Sequence, residues 1–152
     1  LEMSEQFYNR VCTILDHNNI KYESEVVANI IMNNAPRFRR IWDKLYEIYL
    51  TYDNEITREA LNAEVEVDKL IETMNTMNYN AVMKVISDSK TINLTTIFPT
   101  LFRNFTKLTK FNIELLVYLL ASYEERSVKC ADKFLNFMGF YSELCMRAQG
   151  KL

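Results

Sequence analysis

The sequence predicts an all-α fold, and three observations predict it. Glycine and proline occur twice each in 152 residues, too few to punctuate a turn-rich β-sandwich or barrel. Apolar residues make up 49% of the chain, enough for a packed core. They recur at spacings of three and four, the period of a helix face, rather than in alternation.

The elements follow in order. Residues 4–16 place Phe7, Tyr8, Val11, Cys12, Ile14 and Leu15 on one broad stripe, broken by His17-Asn18-Asn19. A second helix, residues 23–33, carries Val26, Val27, Ile30 and Ile31. Asn33-Asn34-Ala35 ends it, and Pro36 suits the first turn of the next helix, where its missing N–H costs nothing. Residues 37–52 form the clearest amphipathic helix, with Phe38, Ile41, Trp42, Leu45, Tyr46, Ile48 and Tyr49 on one face and Arg39, Arg40, Asp43, Lys44 and Glu47 left in water. Thr57 can cap a segment ending near Leu61, and residues 65–77 continue with Val67, Leu70, Ile71 and Met74.

A shorter helix is expected over residues 79–87, then a polar loop over 87–93. Ile97, Phe98, Leu101, Phe102, Phe105 and Leu108 are spaced for a helix in which Pro99 fits only the first turn. Residues 112–123 hold one charge, Glu114, and a helix apolar all round belongs at the centre of a core. Residues 125–138 are amphipathic through Val128, Ala131, Phe134, Leu135 and Met138, and Gly139 either caps this helix or is passed through toward residues 140–146. The expectation is one domain, residues 1–152: a globular bundle of seven to nine helices around a buried apolar helix near 112–123. Leu1-Glu2 ahead of Met3 reads as a cloning scar.

The composition also excludes function classes. A net charge of −2 offers no basic excess to displace phosphate counterions, so nucleic acid is not an expected partner. Cys12, Cys130 and Cys145 form no CxxC or Cys/His cluster and read as reduced thiols of an intracellular protein. The sequons at Asn93 and Asn104 would then never meet the glycosylation machinery. No signal peptide is legible, and the longest nearly apolar run, residues 113–121, is shorter than the ~20 residues a membrane span requires. His17, the one histidine, lies in a polar turn away from any nucleophile or acid pattern, and neither Gly139 nor Gly150 has the partners of a phosphate loop. Glu64, Glu66 and Asp68 scatter around a helix and read as a solvated face rather than a metal site. Neither a catalytic site, a cofactor nor a metal is expected, and the chain reads as a protein that works by binding another protein. Two basic clusters remain, Arg37-Arg39-Arg40 and Arg103-Lys107-Lys110.

Three stretches, in order, resemble the Bcl-2 family of apoptosis regulators. Leu101-Phe102-Arg103 is followed after three residues by Lys107-Leu108-Thr109-Lys110 and then the apolar helix. This is similar to the family's Leu-Phe-Arg, Asn-Trp-Gly-Arg and central helix at the same spacing. Lys110 stands where the family has an arginine that meets an aspartate of the bound helix; lysine keeps the charge without the bidentate geometry. The family's tryptophan and glycine are absent. Pro36-Arg37-Phe38-Arg39-Arg40-Ile41-Trp42, with Leu45, Tyr46 and Tyr49, resembles the family's groove-lining second helix. Val128, Ala131-Asp132, Leu135, Met138 and Tyr141, running to Gly150, are similar to the helix after the central one. The chain ends at Leu152, ahead of the family's last tryptophan and helices, so any C-terminal membrane anchor would lie outside it.

The resemblance implies an anti-apoptotic, virus-encoded protein, cytoplasmic or at the mitochondrial surface, whose groove holds an amphipathic helix of a pro-apoptotic partner. Phe38, Trp42, Leu45, Tyr46, Ile97 and Leu101 would receive that helix's apolar anchors, and Lys110 would meet its aspartate. A weaker resemblance, on apolar helical hairpins and a Pro-x-Phe turn, is to HEAT-like helical-repeat scaffolds. It would use Arg37, Arg39, Arg40, Arg103, Lys107 and Lys110 to dock RNA-processing or translation factors.

Overall fold

The computed structural model describes residues 2–51 and 54–152, with side chains for 5–50 and 54–152. Leu1 of the expected scar and the expected helix end at Tyr52 lie outside them. The protein is all-α: the described residues form eight α-helices, one short 3-10 turn and two strands of two residues each. Its chain divides into two compact units, Leu1–Glu64 and Val65–Leu152, each with its own apolar core.

The first unit contains α1 (Glu2–His17), β1 (Lys21–Tyr22), α2 (Ser24–Asn34), α3 (Phe38–Thr51), β2 (Glu55–Ile56) and the start of α4 (Arg58–Asn75). Val11, Leu15, Val26, Val27, Ile30, Ile31, Ile41, Leu45 and Ile48 are buried together, the residues the helical period singles out. The strands are the part that helical periodicity does not foresee. Asn19 (φ 54°) and Asn54 (φ 60°) each adopt the left-handed conformation that asparagine tolerates best after glycine. The chain emerging from each turn pairs in parallel, Lys21 with Glu55 and Tyr22 with Ile56, so these backbone groups are satisfied without a helix. Thr57 caps α4 as expected, its hydroxyl accepting from the Ala60 N–H at 3.3 Å.

α4 is one continuous helix, where the periodicity predicts two segments separated near residues 62–64. The intervening Ala63 and Glu64 are buried rather than looped out. The Glu64 carboxylate, 5% exposed, pairs with the Lys44 ammonium of α3, which is 28% exposed. Removing the ammonium takes away that attraction while the carboxylate stays in a site with little water. Lys44→Met is expected to lower the stability of this unit by about 2 kcal/mol, below the full penalty of a buried pair because the ammonium keeps some water. Urea denaturation followed by Trp42 fluorescence reads that loss directly.

The second unit holds the rest of α4, α5 (Tyr79–Asp88), α6 (Ile97–Arg103), the 3-10 turn Phe105–Lys107, α7 (Ile113–Lys129) and α8 (Lys133–Ala148). Its core is aromatic at the centre. Phe140 meets Phe98 edge to face at 5.4 Å between ring centroids, and Phe137 and Tyr123 at 5.8 Å. The buried Tyr141 hydroxyl donates to the Met74 carbonyl at 2.9 Å, beside the Met77 N–H that donates to the same oxygen at 3.1 Å.

The structure departs from expectation at three places in this unit. The single helix expected over residues 97–108 is α6 plus a 3-10 turn, split at Asn104, whose amide donates back to the Thr100 carbonyl at 2.9 Å. The break expected between residues 123 and 125 falls instead at Cys130–Asp132. There the Asp132 side chain caps α8 by accepting from the Leu135 N–H at 3.0 Å. Moving that boundary turns the following face by several residues: Val128 and Leu135, expected inside, are 84% and 66% exposed, and Phe137, Phe140, Tyr141 and Leu144 are buried in their place. α8 passes straight through Gly139. Finally, α7 is not buried all round. Leu116, Leu119, Leu120 and Tyr123 face the core, while Ile113, Val117 and Tyr118 are exposed.

The loop after α5 is closed by Glu66, which accepts from the Ser89 hydroxyl, the Thr91 hydroxyl (2.5 Å) and the Thr91 N–H (3.3 Å). The Ser89 and Thr91 donors hold its carboxyl below the usual 4.5. Glu143 is lowered likewise, first by the Tyr123 hydroxyl at 2.7 Å and then by Arg147. A depressed folded-state pKa stabilises fully above the ordinary carboxyl value and is lost as pH falls through the lowered one. Thermal midpoints measured from about pH 7 down to about pH 3 should therefore decline only at the acid end, and Glu66→Gln should shallow that decline.

Candidate functional site

The residues that the resemblance assigns to a groove divide between the two units. Phe38, Trp42, Leu45 and Tyr46 all stand on α3 in the first. Phe38 and Tyr46 are exposed, Trp42 is half-buried and Leu45 is core. The Phe38 ring packs on Phe7 at 4.6 Å, and the Trp42 ring meets Phe7 edge-on at 6.3 Å. Trp42, Leu45 and Tyr46 line a hollow of about 290 Å³ with Ile14, Ile20 and Tyr49.

Ile97, Leu101 and Lys110 belong to the second unit. Ile97 and Leu101 are 1% and 0% exposed, so neither offers a partner any surface, and the expectation that they receive anchors is corrected. α6 turns that face inward against Phe137, Phe140 and their neighbours because its other face carries Phe102 and Arg103, which are exposed. Lys110 is exposed in the turn leading to α7.

The open apolar site of this unit lies one residue further round α6. Phe98, Pro99 and Phe102 line one side of a groove of about 380 Å³; Val117, Leu120, Ala121 and Glu124 of α7 line the other. Phe98 and Leu120, almost fully buried, form its floor, and the 51%-exposed Phe102 and 37%-exposed Val117 form its walls. Phe102 is steadied by stacking on Phe105 at 6.2 Å. Local sequence explains the shape. Asn112 caps α7, accepting from the Leu115 N–H at 3.2 Å, and thereby sets which residues of this apolar helix face in. Ile113, Val117, Ala121 and Val128 then fall on one outward stripe, four and seven residues apart.

Helical spacing marks this stripe as apolar, but whether a second helix covers it is decided by packing. Glu124 is a further signal, the one acid among the residues that line the groove. Its Oε2 is buried and accepts no hydrogen bond.

The basic clusters separate in the same way. Arg37, Arg39 and Arg40 are exposed at the start of α3. In the second cluster Lys107 is committed to Asp68 at 2.9 Å, and its carbonyl accepts from the Asn75 side chain at 2.8 Å. Among the described residues no three His, Cys, Asp or Glu side chains gather to hold a metal, and no helix is long and apolar enough to cross a membrane. His17 is exposed at the end of α1. Cys12, Cys130 and Cys145 are free thiols, with burial pushing the Cys145 thiol up and away from its reactive form.

No family model matches this chain, and no curated protein or solved structure matches it either.

Proposed function

We propose that this protein is a divergent Bcl-2-like regulator of apoptosis that acts without catalysis, capturing an amphipathic helix of a pro-apoptotic partner in the α6–α7 groove. One observation carries the reading. The groove is built from the two elements on which the resemblance is most specific, the helix ending Leu101-Phe102-Arg103 and the apolar helix that follows Lys110. Relative to the resemblance the anchor sites shift by one position around α6, from Ile97 and Leu101 to Phe98 and Phe102. Large apolar side chains, held by the core beneath them, form walls that can receive alternate turns of a helix. Lys110, just ahead of α7, is available to an acidic residue of that helix.

Calorimetric titration of the whole chain with a panel of pro-apoptotic helical peptides tests this. Submicromolar binding to at least one peptide, lost in Val117→Asp and weakened in Lys110→Glu, is the expected result. Failure of every peptide to bind, with the protein folded, would overturn it.

A further inference from the structure

Resting on the reading just given, the structure assigns a charge to the helix that fills this groove: we infer that it carries a lysine or arginine that pairs with Glu124. Six of the seven residues lining the groove are apolar, and the seventh is this carboxylate, at the end toward the C-terminus of α7. Glu124 Oε2 is withdrawn from water yet accepts no hydrogen bond. A desolvated carboxylate oxygen left without a donor is destabilising, and a cationic donor is the partner that offsets that cost best. The last torsion of a glutamate side chain turns freely, so either oxygen can be presented to an incoming group.

The same face sets the size of the occupant. The exposed stripe on α7 runs from Ile113 to Val128, fifteen rises of about 1.5 Å or roughly 22 Å, the length of a four-turn helix. Glu124 lies between Ala121 and Val128 on that stripe, so the cation must sit on the apolar face of the ligand helix or at its edge, one turn beyond the anchors that meet Val117 and Ala121. A helix with acid at that place would put two carboxylates together in a site with little water. The occupant is therefore a basic amphipathic helix of about fifteen residues, and Glu124 is the residue that selects it.

Three designed helical peptides test the assignment. They share apolar anchors at i, i+3, i+4 and i+7 and differ only in carrying lysine, glutamine or glutamate one turn beyond the anchors at both ends, which makes the result independent of binding direction. Titrated calorimetrically into the whole chain, the lysine peptide should bind at least about tenfold tighter than the glutamate peptide. Glu124→Lys should reverse that order. Glu125→Lys, a charge reversal at the exposed neighbouring position, should preserve it. Equal binding of all three peptides, still abolished by Val117→Asp, would sink the pairing with Glu124 and leave the groove standing. An order that Glu125→Lys reverses as readily as Glu124→Lys would sink it too, because the preference would then belong to the overall charge. Binding of none of the three would overturn the groove and the pairing together.

Discussion

Phe140→Ala should cost the second unit about 3–5 kcal/mol. The side chain is 0% exposed and lies within 5.8 Å, centroid to centroid, of three other aromatic rings. Truncation removes the buried ring and leaves a cavity that its neighbours cannot close: Phe98 and Phe137 are fixed by their own helices, and Gly139 beside it brings no side chain. The edge-to-face contacts with Phe98 and Tyr123 add to the loss beyond the area buried. The measurement has a built-in reference. Trp42 is the one tryptophan and lies in the first unit, whereas helical circular dichroism reports both. In urea the dichroism transition should move to lower concentration. A loss under about 1 kcal/mol would mean that Phe140 does not stand in a packed core.

Phe102→Asp should reduce affinity for a captured helix by about 2–4 kcal/mol, roughly 30-fold to nearly 1,000-fold, while leaving the fold intact. The separation of the two effects follows from geometry. Phe102 is half exposed, stacked on Phe105 and lining the groove, so an aspartate there keeps its water in the free protein and loses it only when a ligand helix closes over it. Leu101→Asp, one residue away, would place the same charge in the core and unfold the unit. Tyr118→Asp supplies the counter-test: Tyr118 is 62% exposed on α7 but does not line the groove, and its replacement should leave peptide binding unchanged. If Tyr118→Asp weakens binding as much as Phe102→Asp, the ligand lies on another face of α7.

Much of the fold is legible in the chain because helix faces announce themselves locally. Val26, Val27, Ile30 and Ile31 of α2, and Ile41, Leu45 and Ile48 of α3, are buried as their spacing requires. Thr57 caps α4 where a threonine precedes an apolar run, and the absence of breakers elsewhere leaves little besides helix to form. The boundary between α7 and α8 is also written in the chain, as Asp132 ahead of Leu135, but the apolar run through residue 138 masks it. The parallel pairing of Lys21-Tyr22 with Glu55-Ile56 is not legible. Two residues show no period, and their partners lie 34 positions away.

Side-chain spacing is enough to make this protein helical, to place most of its helices and to mark the apolar stripe of each. Those properties depend on side chains three and four residues apart, which a helix brings together whatever surrounds it. Which apolar stripes are covered is a matter of packing between helices. Packing buried Ile97 and Leu101 and left Phe102 open, exposed the Val117 side of a helix apolar nearly all round, and set Glu124 at the end of the groove between them. Burial is a property of what lies against a face, and nothing in a local period says whether a second helix is there to cover it.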